Sequence, residues 1–160
     1  RPAPSVDDPG LLPQTQDRPK SSGARFDANA RLLWEAIVHD DPRRALPFFF
    51  PKSAYQQTKD IPDPPSDWKG RLVRAFDRDV HALHRRLGAD AATATFGSLE
   101  VADDKAQWVK PGHELNKLGY YRVYGTKLRF SSGGRDRAFD VTSLISWRGE
   151  WYVVHLSGFK

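Results

Sequence analysis

The chain of 160 residues contains no cysteine and no methionine. The first absence excludes disulfides, zinc–thiolate sites and cysteine nucleophiles. The two together make a chain that tolerates oxidising surroundings, since these are the side chains that sulfur oxidation attacks. Long apolar runs are also missing. A membrane-spanning helix needs ~18 consecutive apolar residues, and the densest burst here, ALPFFFP, is short and carries proline. Blocks of five or six like charges are absent too, because 25 Lys and Arg are interspersed with 20 Asp and Glu for a formal charge of +5. Such a surplus can favour anionic partners in general, but without a basic block it argues against nucleic acid. With Arg1 in first place and no methionine anywhere, the expectation is an exported bacterial protein whose signal peptide has been removed, whether periplasmic, cell-surface or secreted. A lipid anchor upstream is an alternative form of the same expectation.

What is present fits one folded domain. Hydrophobic residues make up 39% and aromatics 12%, and a chain of this size buries roughly 70% of the surface its unfolded form would expose. Residues 1–24 hold five of the twelve prolines, and only Val6, Leu11 and Leu12 there suit a core. This composition predicts a flexible Pro-rich tether, followed by a single α+β domain over 25–160. Ala30, Leu33, Trp34, Ile37 and Val38 recur at helical spacing, with Asp27 or Asn29 as candidate caps. Asp41-Pro42 starts a second turn that delivers Phe48, Phe49 and Phe50 to the core. A short helical piece over SAYQQTK comes next, and then a rigid connection, DIPDPPSDW.

The longest helix is expected from Ser66 or Asp67 to just before Gly88, with Leu72, Phe76, Val80, Leu83 and Leu87 as its buried stripe. After Gly88 the period changes from 3.6 to 2. TATFGSLEV, KAQWVK, YYRVYGTKLRF, RAFDVTSLISW and EWYVVHLSGF read as strands, with SSGG and RG as hairpin turns. The expected fold is therefore α+β. N-terminal helices pack on a curved, cone-like antiparallel sheet that ends in a long β-hairpin.

ARLLWEAIVHDDPRRALPFF followed by SAY resembles the opening of the nuclear transport factor 2-like superfamily, and SLISWRGEWYVVHL resembles its final hairpin. The resemblance spans about residues 28 to 159. It implies a cone-shaped α+β fold with a pocket between helices and sheet, in a group that includes isomerases, cyclases, dehydratases and non-catalytic binding modules. The proline-rich stretch between Gln56 and Trp68 departs from that pattern, and no catalytic residue carries over.

Asp77, His81 and His84 share one helical face and offer a metal-like spacing. A solvated face for His81, and a core-edge or pocket role for His84, are the competing readings, and no metal site or cofactor is expected. His113-Glu114 lies beside a Pro-Gly turn, in the kind of loop where binding residues collect. Ser143, Ser146 and Ser157 lack the strained setting of an activated serine. The stronger signal is aromatic: Trp108, Tyr120, Tyr121, Tyr124, Trp147, Trp151 and Tyr152 all fall in the strand half. A sheet face paved with rings holds apolar or carbohydrate-like ligands, and Arg122 and Arg129 between them can contact an anion. The candidate ligand-binding set is thus His84, Tyr120, Arg122, Tyr124, Trp151 and His155.

His155 depends on the register of the last hairpin. A two-residue Arg148-Gly149 turn pairs it with Thr142, a three-residue RGE loop with Ser143, and a WRG loop with a bulge pairs it with Val141. Along its own strand His155 alternates onto the face of Trp151, Val153 and Phe159. The leading functional expectation is a non-catalytic module that binds a protein, a cell-envelope component or a small apolar ligand, and a dimer is compatible with it. The alternative is a small lyase or isomerase with a pocket His or Asp, and an open interior holding ionisable groups is what that reading requires.

Overall fold

The computed structural model describes residues 8–157, so Val6 and Phe159 lie outside the described residues. Helix α1 (Ala24–Val38) comes first. It starts earlier than its candidate caps suggest, with Gly23 at the cap, because Phe26 extends the apolar stripe back one turn and packs edge-on against Phe48 at 6.2 Å. A 3₁₀ turn (Pro42–Phe48) leads to α2 (Lys52–Thr58). Next, α3 (Pro64–Asp67), a π-helical turn (Trp68–Val73) and α4 (Arg74–Leu87) run on as one continuous helix that ends at Gly88. Leu72, Phe76, Val80, Leu83 and Leu87 are buried on it, as the helical period predicts.

Five antiparallel strands follow: β1 (Thr95–Glu100), β2 (Gln107–Val109), β3 (Tyr120–Ser132), β4 (Arg135–Trp147) and β5 (Glu150–His155). Their order is β1-β3-β4-β5, with β2 also on β3. The fold is α+β, with the helices in the N-terminal half and the sheet in the C-terminal half. The helices pack on the face that carries Phe130 and Phe139, where Trp34 stacks on Phe130 at 5.0 Å. Among the described residues, no helix is long and apolar enough to cross a membrane.

The Phe48-Phe49-Phe50 run joins the layers. Phe49 packs on Phe76 at 4.9 Å and on Trp68 at 5.8 Å, while Phe50 meets Trp147 and Tyr152 at 6.0 and 6.3 Å. The Phe50 N–H donates to the Val153 carbonyl at 2.9 Å, so this run also covers the outer edge of β5.

The segment whose composition reads as a tether lies against the body from Asp8 onward. Trp147 Nε1 donates to the Pro9 carbonyl (3.0 Å), and Gln14 Nε2 donates to the Gly119 and Ser146 carbonyls (both 3.2 Å). Arg18 Nη2 donates to the Asp103 carbonyl at 2.9 Å. Gly10 is buried so closely that a Cβ there would stand 2.1 Å from Ser53 Oγ.

Two stability predictions follow from this packing. Phe49→Ala, which opens a cavity in the fully buried wedge, is expected to cost about 3–5 kcal/mol in denaturant unfolding. Gly10→Ala is expected to cost a smaller but measurable amount, with new protease sensitivity within residues 8–23 showing that the strap has lifted. Full protection of that segment in Gly10→Ala would contradict a docked strap.

Candidate functional site

One end of the helix-bearing face is left open. Beyond Trp147 and Tyr152, which lie under Phe50, the β4–β5 ladder continues through Ile145, Ser143, Val154 and His155, and these four residues floor a cavity of about 300 Å³. Tyr120, Arg122 and Tyr124 of β3 extend the floor. Tyr55 of α2, Lys59 just beyond it, and Arg71 and Leu72 of the π-helical turn form the opposite wall. Glu114 closes one side.

The register at His155 combines two of the expected features. Trp147 pairs with Glu150 across a two-residue Arg148-Gly149 turn, whose central residues both have positive φ, 53° and 79°. His155 nevertheless pairs with Ser143 and not Thr142, because the register shifts by one between Ser143 and Leu144. Val154 is the extra residue of this β-bulge, which re-aims the end of the strand. Trp151 pairs with Ser146 and His155 with Ser143. The two ring residues therefore lie on opposite sheet faces, and simple alternation does not hold.

Four of the six sequence candidates are brought together in the cavity: Tyr120, Arg122, Tyr124 and His155. The other two are elsewhere. Trp151 is buried on the far face, where its Nε1 donates to Asp103 Oδ1 at 3.0 Å. His84 Nδ1 bonds the Ile37 carbonyl at 2.9 Å, tying α4 to the end of α1. Nor do Asp77, His81 and His84 form a metal site, since no metal-holding group of His and acidic residues exists among the described residues. His81 is committed to Asp40 at 2.8 Å.

The sequence reading missed Tyr55, Lys59, Arg71 and Leu72. One signal was available, since Tyr55 and Lys59 are spaced i, i+4 within the helical piece expected over SAYQQTK, although the helix itself ends at Thr58. Glu114 was noted only beside His113, which is exposed. Glu114 reaches the cavity because residues 110–118 are fastened to α2. The Lys117 N–H donates to the Thr58 carbonyl at 2.6 Å, and the Asp60 N–H to the Leu115 carbonyl at 2.7 Å. Buried Asn116 organises the loop from within, donating to the Lys110 and Leu118 carbonyls at 3.1 and 2.9 Å.

The charges in the cavity are largely internally paired. Arg71 grips Asp67 with two bonds of 2.9 Å, and Tyr55 donates its hydroxyl proton to the same carboxylate. Glu114 accepts from Tyr120 on one oxygen and pairs with Arg122 on the other. The Arg122 guanidinium also lies 4.8 Å from the Tyr124 ring centroid. Lys59 Nζ donates to the Glu114 main-chain carbonyl at 2.8 Å, and it has no carboxylate within ion-pair distance among the described residues.

Protonation follows from burial. Desolvation, reinforced by the Arg71 and Lys59 charges, pushes His155 down to about 4, so its ring is neutral at neutral pH. Desolvation, then Arg71, pulls Lys59 below its ordinary value. Burial first raises both Tyr55 and Tyr120, so their phenols stay protonated.

Comparison of the chain with family models, with curated proteins and with solved structures finds no match.

The His155 displacement gives a signed prediction. An imidazole that ionises near 6.5 when unfolded and near 4 when folded contributes stability above pH 6.5, and that contribution is lost as pH falls from 6.5 through 4. The loss is at most about 1.4 kcal/mol per pH unit for one proton. Urea unfolding of the wild type and of His155→Gln across this window is expected to show a shallower slope in the variant. Parallel slopes, or an imidazole titrating near 6.5 by NMR, would contradict a desolvated ring.

Proposed function

We propose that this chain is a non-catalytic binding module for a small, predominantly apolar molecule held in the cavity between α2, the π-helical turn and the helix-bearing face of the sheet. The observation that carries this reading is the cavity itself. It remains open beside a close-packed aromatic wedge, and its walls combine Leu72, Ile145 and Val154 with three tyrosines. Arg71, Arg122 and Glu114 are paired within the protein, so few polar groups remain between the apolar walls to orient a bound small molecule.

The nuclear transport factor 2-like reading belongs to the same proposal. It is supported by the order of helices and strands and by a pocket lying between the two layers. Export is also part of it, supported by a chain without oxidisable sulfur.

The competing lyase or isomerase reading has one observation in its favour, an imidazole at the pocket floor. Its strength as a base argues the other way. A general base works best with a pKa near the operating pH, and His155 sits at about 4. At that value the ring is a hydrogen-bonding surface and a poor proton acceptor.

The test is thermal unfolding of the wild type and of Val154→Trp, which fills the cavity, against small aromatic and aliphatic amphiphiles. A compound that binds only the folded state must raise the midpoint. The expected result is a rise for the wild type that Val154→Trp lacks, with NMR perturbations at Tyr124, Ser143 and His155. Failure of every compound to shift the wild type would sink the pocket reading, and turnover abolished by His155→Gln would replace it with the enzymatic one.

A further inference from the structure

Three donors converge at the floor and wall of the cavity, and their partners are unequal. Arg71 and Arg122 are each already neutralised by a carboxylate, Asp67 and Glu114 respectively. Lys59 is not, since its ammonium donates to a main-chain carbonyl and lies 6.0 Å from the Tyr120 ring centroid, which leaves further N–H donors. Across the cavity Ser143 is 1% exposed, and its Oγ has no hydrogen-bond partner among the described residues. A buried hydroxyl left unsatisfied costs roughly 1–3 kcal/mol, so one retained in a pocket floor is a built-in demand for an acceptor.

The chain shows how an anion is received here. The Glu114 carboxylate enters from the side and takes one bond from a phenol and one from a guanidinium, leaving Lys59 and Ser143 unused by any acid. Lys59 can only donate, Ser143 can donate its hydroxyl proton, and the acid among the lining residues, Glu114, is already paired, so no unpaired acid there would hold an amine. Lys59 and Ser143 can therefore both donate to an entering anion, and the apolar groups between them leave room for a hydrocarbon or aryl body.

We propose that the ligand of this cavity is a monocarboxylate with an apolar body, its head group bound by Lys59 Nζ and Ser143 Oγ and its body lying against Leu72, Ile145, Val154 and the Tyr124 ring. This rests on the pocket-binding reading and specifies the chemical class that the pocket selects. Selection works by the head group, because an alcohol of the same shape gains only a neutral hydrogen bond and an amine meets Lys59 with like charge.

The experiment uses one hydrocarbon body with three heads: 3-phenylpropionate, 3-phenylpropanol and 3-phenylpropylamine, titrated by calorimetry or NMR into the full chain at fixed ionic strength. The carboxylate is expected to bind at least about tenfold more tightly than the alcohol, with the amine weakest. Lys59→Gln keeps a donor for the Glu114 carbonyl but removes the charge, and it should bring the carboxylate down to the level of the alcohol while leaving the alcohol unchanged. Ser143→Ala removes an unsatisfied hydroxyl, so it should leave stability unchanged or raised while weakening the carboxylate about threefold to tenfold. Equal binding of all three compounds, or preference for the alcohol or amine, would overturn the carboxylate inference while the pocket reading survives. Carboxylate preference that persists in both variants would overturn the assignment to Lys59 and Ser143. Binding by none of the three, together with no thermal shift from the wider amphiphile series, would overturn both readings.

Discussion

Packing of three consecutive phenylalanines between the layers is the constraint on which the rest of the structure depends. The 3₁₀ turn ends at Phe48, and the backbone becomes extended at Phe49 (φ −81°, ψ 145°). Successive side chains of an extended chain point in opposite directions. Phe49 accordingly enters the long helix at Trp68 and Phe76, while Phe50 enters the sheet at Trp147 and Tyr152. The same stretch gives its backbone to β5, so one run of residues sets both the spacing of the layers and the edge of the sheet. The space under Phe50 is filled. The next rungs of the β4–β5 ladder, at Ile145 and Ser143, have no such ring above them and become floor.

The cavity walls are built from irregular backbone on both sides. The β-bulge at Val154 turns His155 toward the face of Ser143, and the π-helical turn carries Arg71 and Leu72 opposite it. A regular β5 would have alternated His155 onto the face of Trp151, which the strap and the Asp103 turn cover. Bulges and π-turns recur at binding sites because each inserts one residue and so redirects a side chain without unfolding its element. The loop over residues 110–118 adds the third wall, with Leu115 at φ 56° and its carbonyl held by the Asp60 N–H just after α2. Backbone strain of this kind persists only where surrounding contacts enforce it.

Regular structure was legible in the sequence, and irregular structure was not. The stripes of α1 and α4 identify themselves because each has one buried face and one solvated face, and the strand half shows itself by its change of period. The register at His155 is hidden for the opposite reason. From Trp151 to Leu156 both faces are apolar, so a one-residue shift breaks no pattern. The strap was invisible because most of its bonds, whether from Trp147, Gln57 and Arg148 to its carbonyls or from Gln14 and Arg18 to carbonyls of the body, end on main-chain acceptors, which leave no trace in residue type. His84 misled for the same reason, its partner being the Ile37 carbonyl.

The electrostatics of the cavity connect its burial to its selectivity. Two unit charges 4 Å apart attract by about 1 kcal/mol in bulk water and about 4 kcal/mol at the effective dielectric typical of a protein surface site. The partial burial that lowers Lys59 therefore also strengthens its attraction to any carboxylate that enters, so the two effects oppose in the empty pocket and cooperate in the filled one. The entering carboxylate must itself be desolvated, which offsets much of the gain. What survives is a difference between head groups more than a high absolute affinity. Arg71 and Arg122 cannot supply that difference, because Asp67 and Glu114 already cancel them. Selectivity is concentrated on Lys59, whose ammonium has no carboxylate partner among the described residues, and on Ser143, whose hydroxyl has no hydrogen-bond partner there.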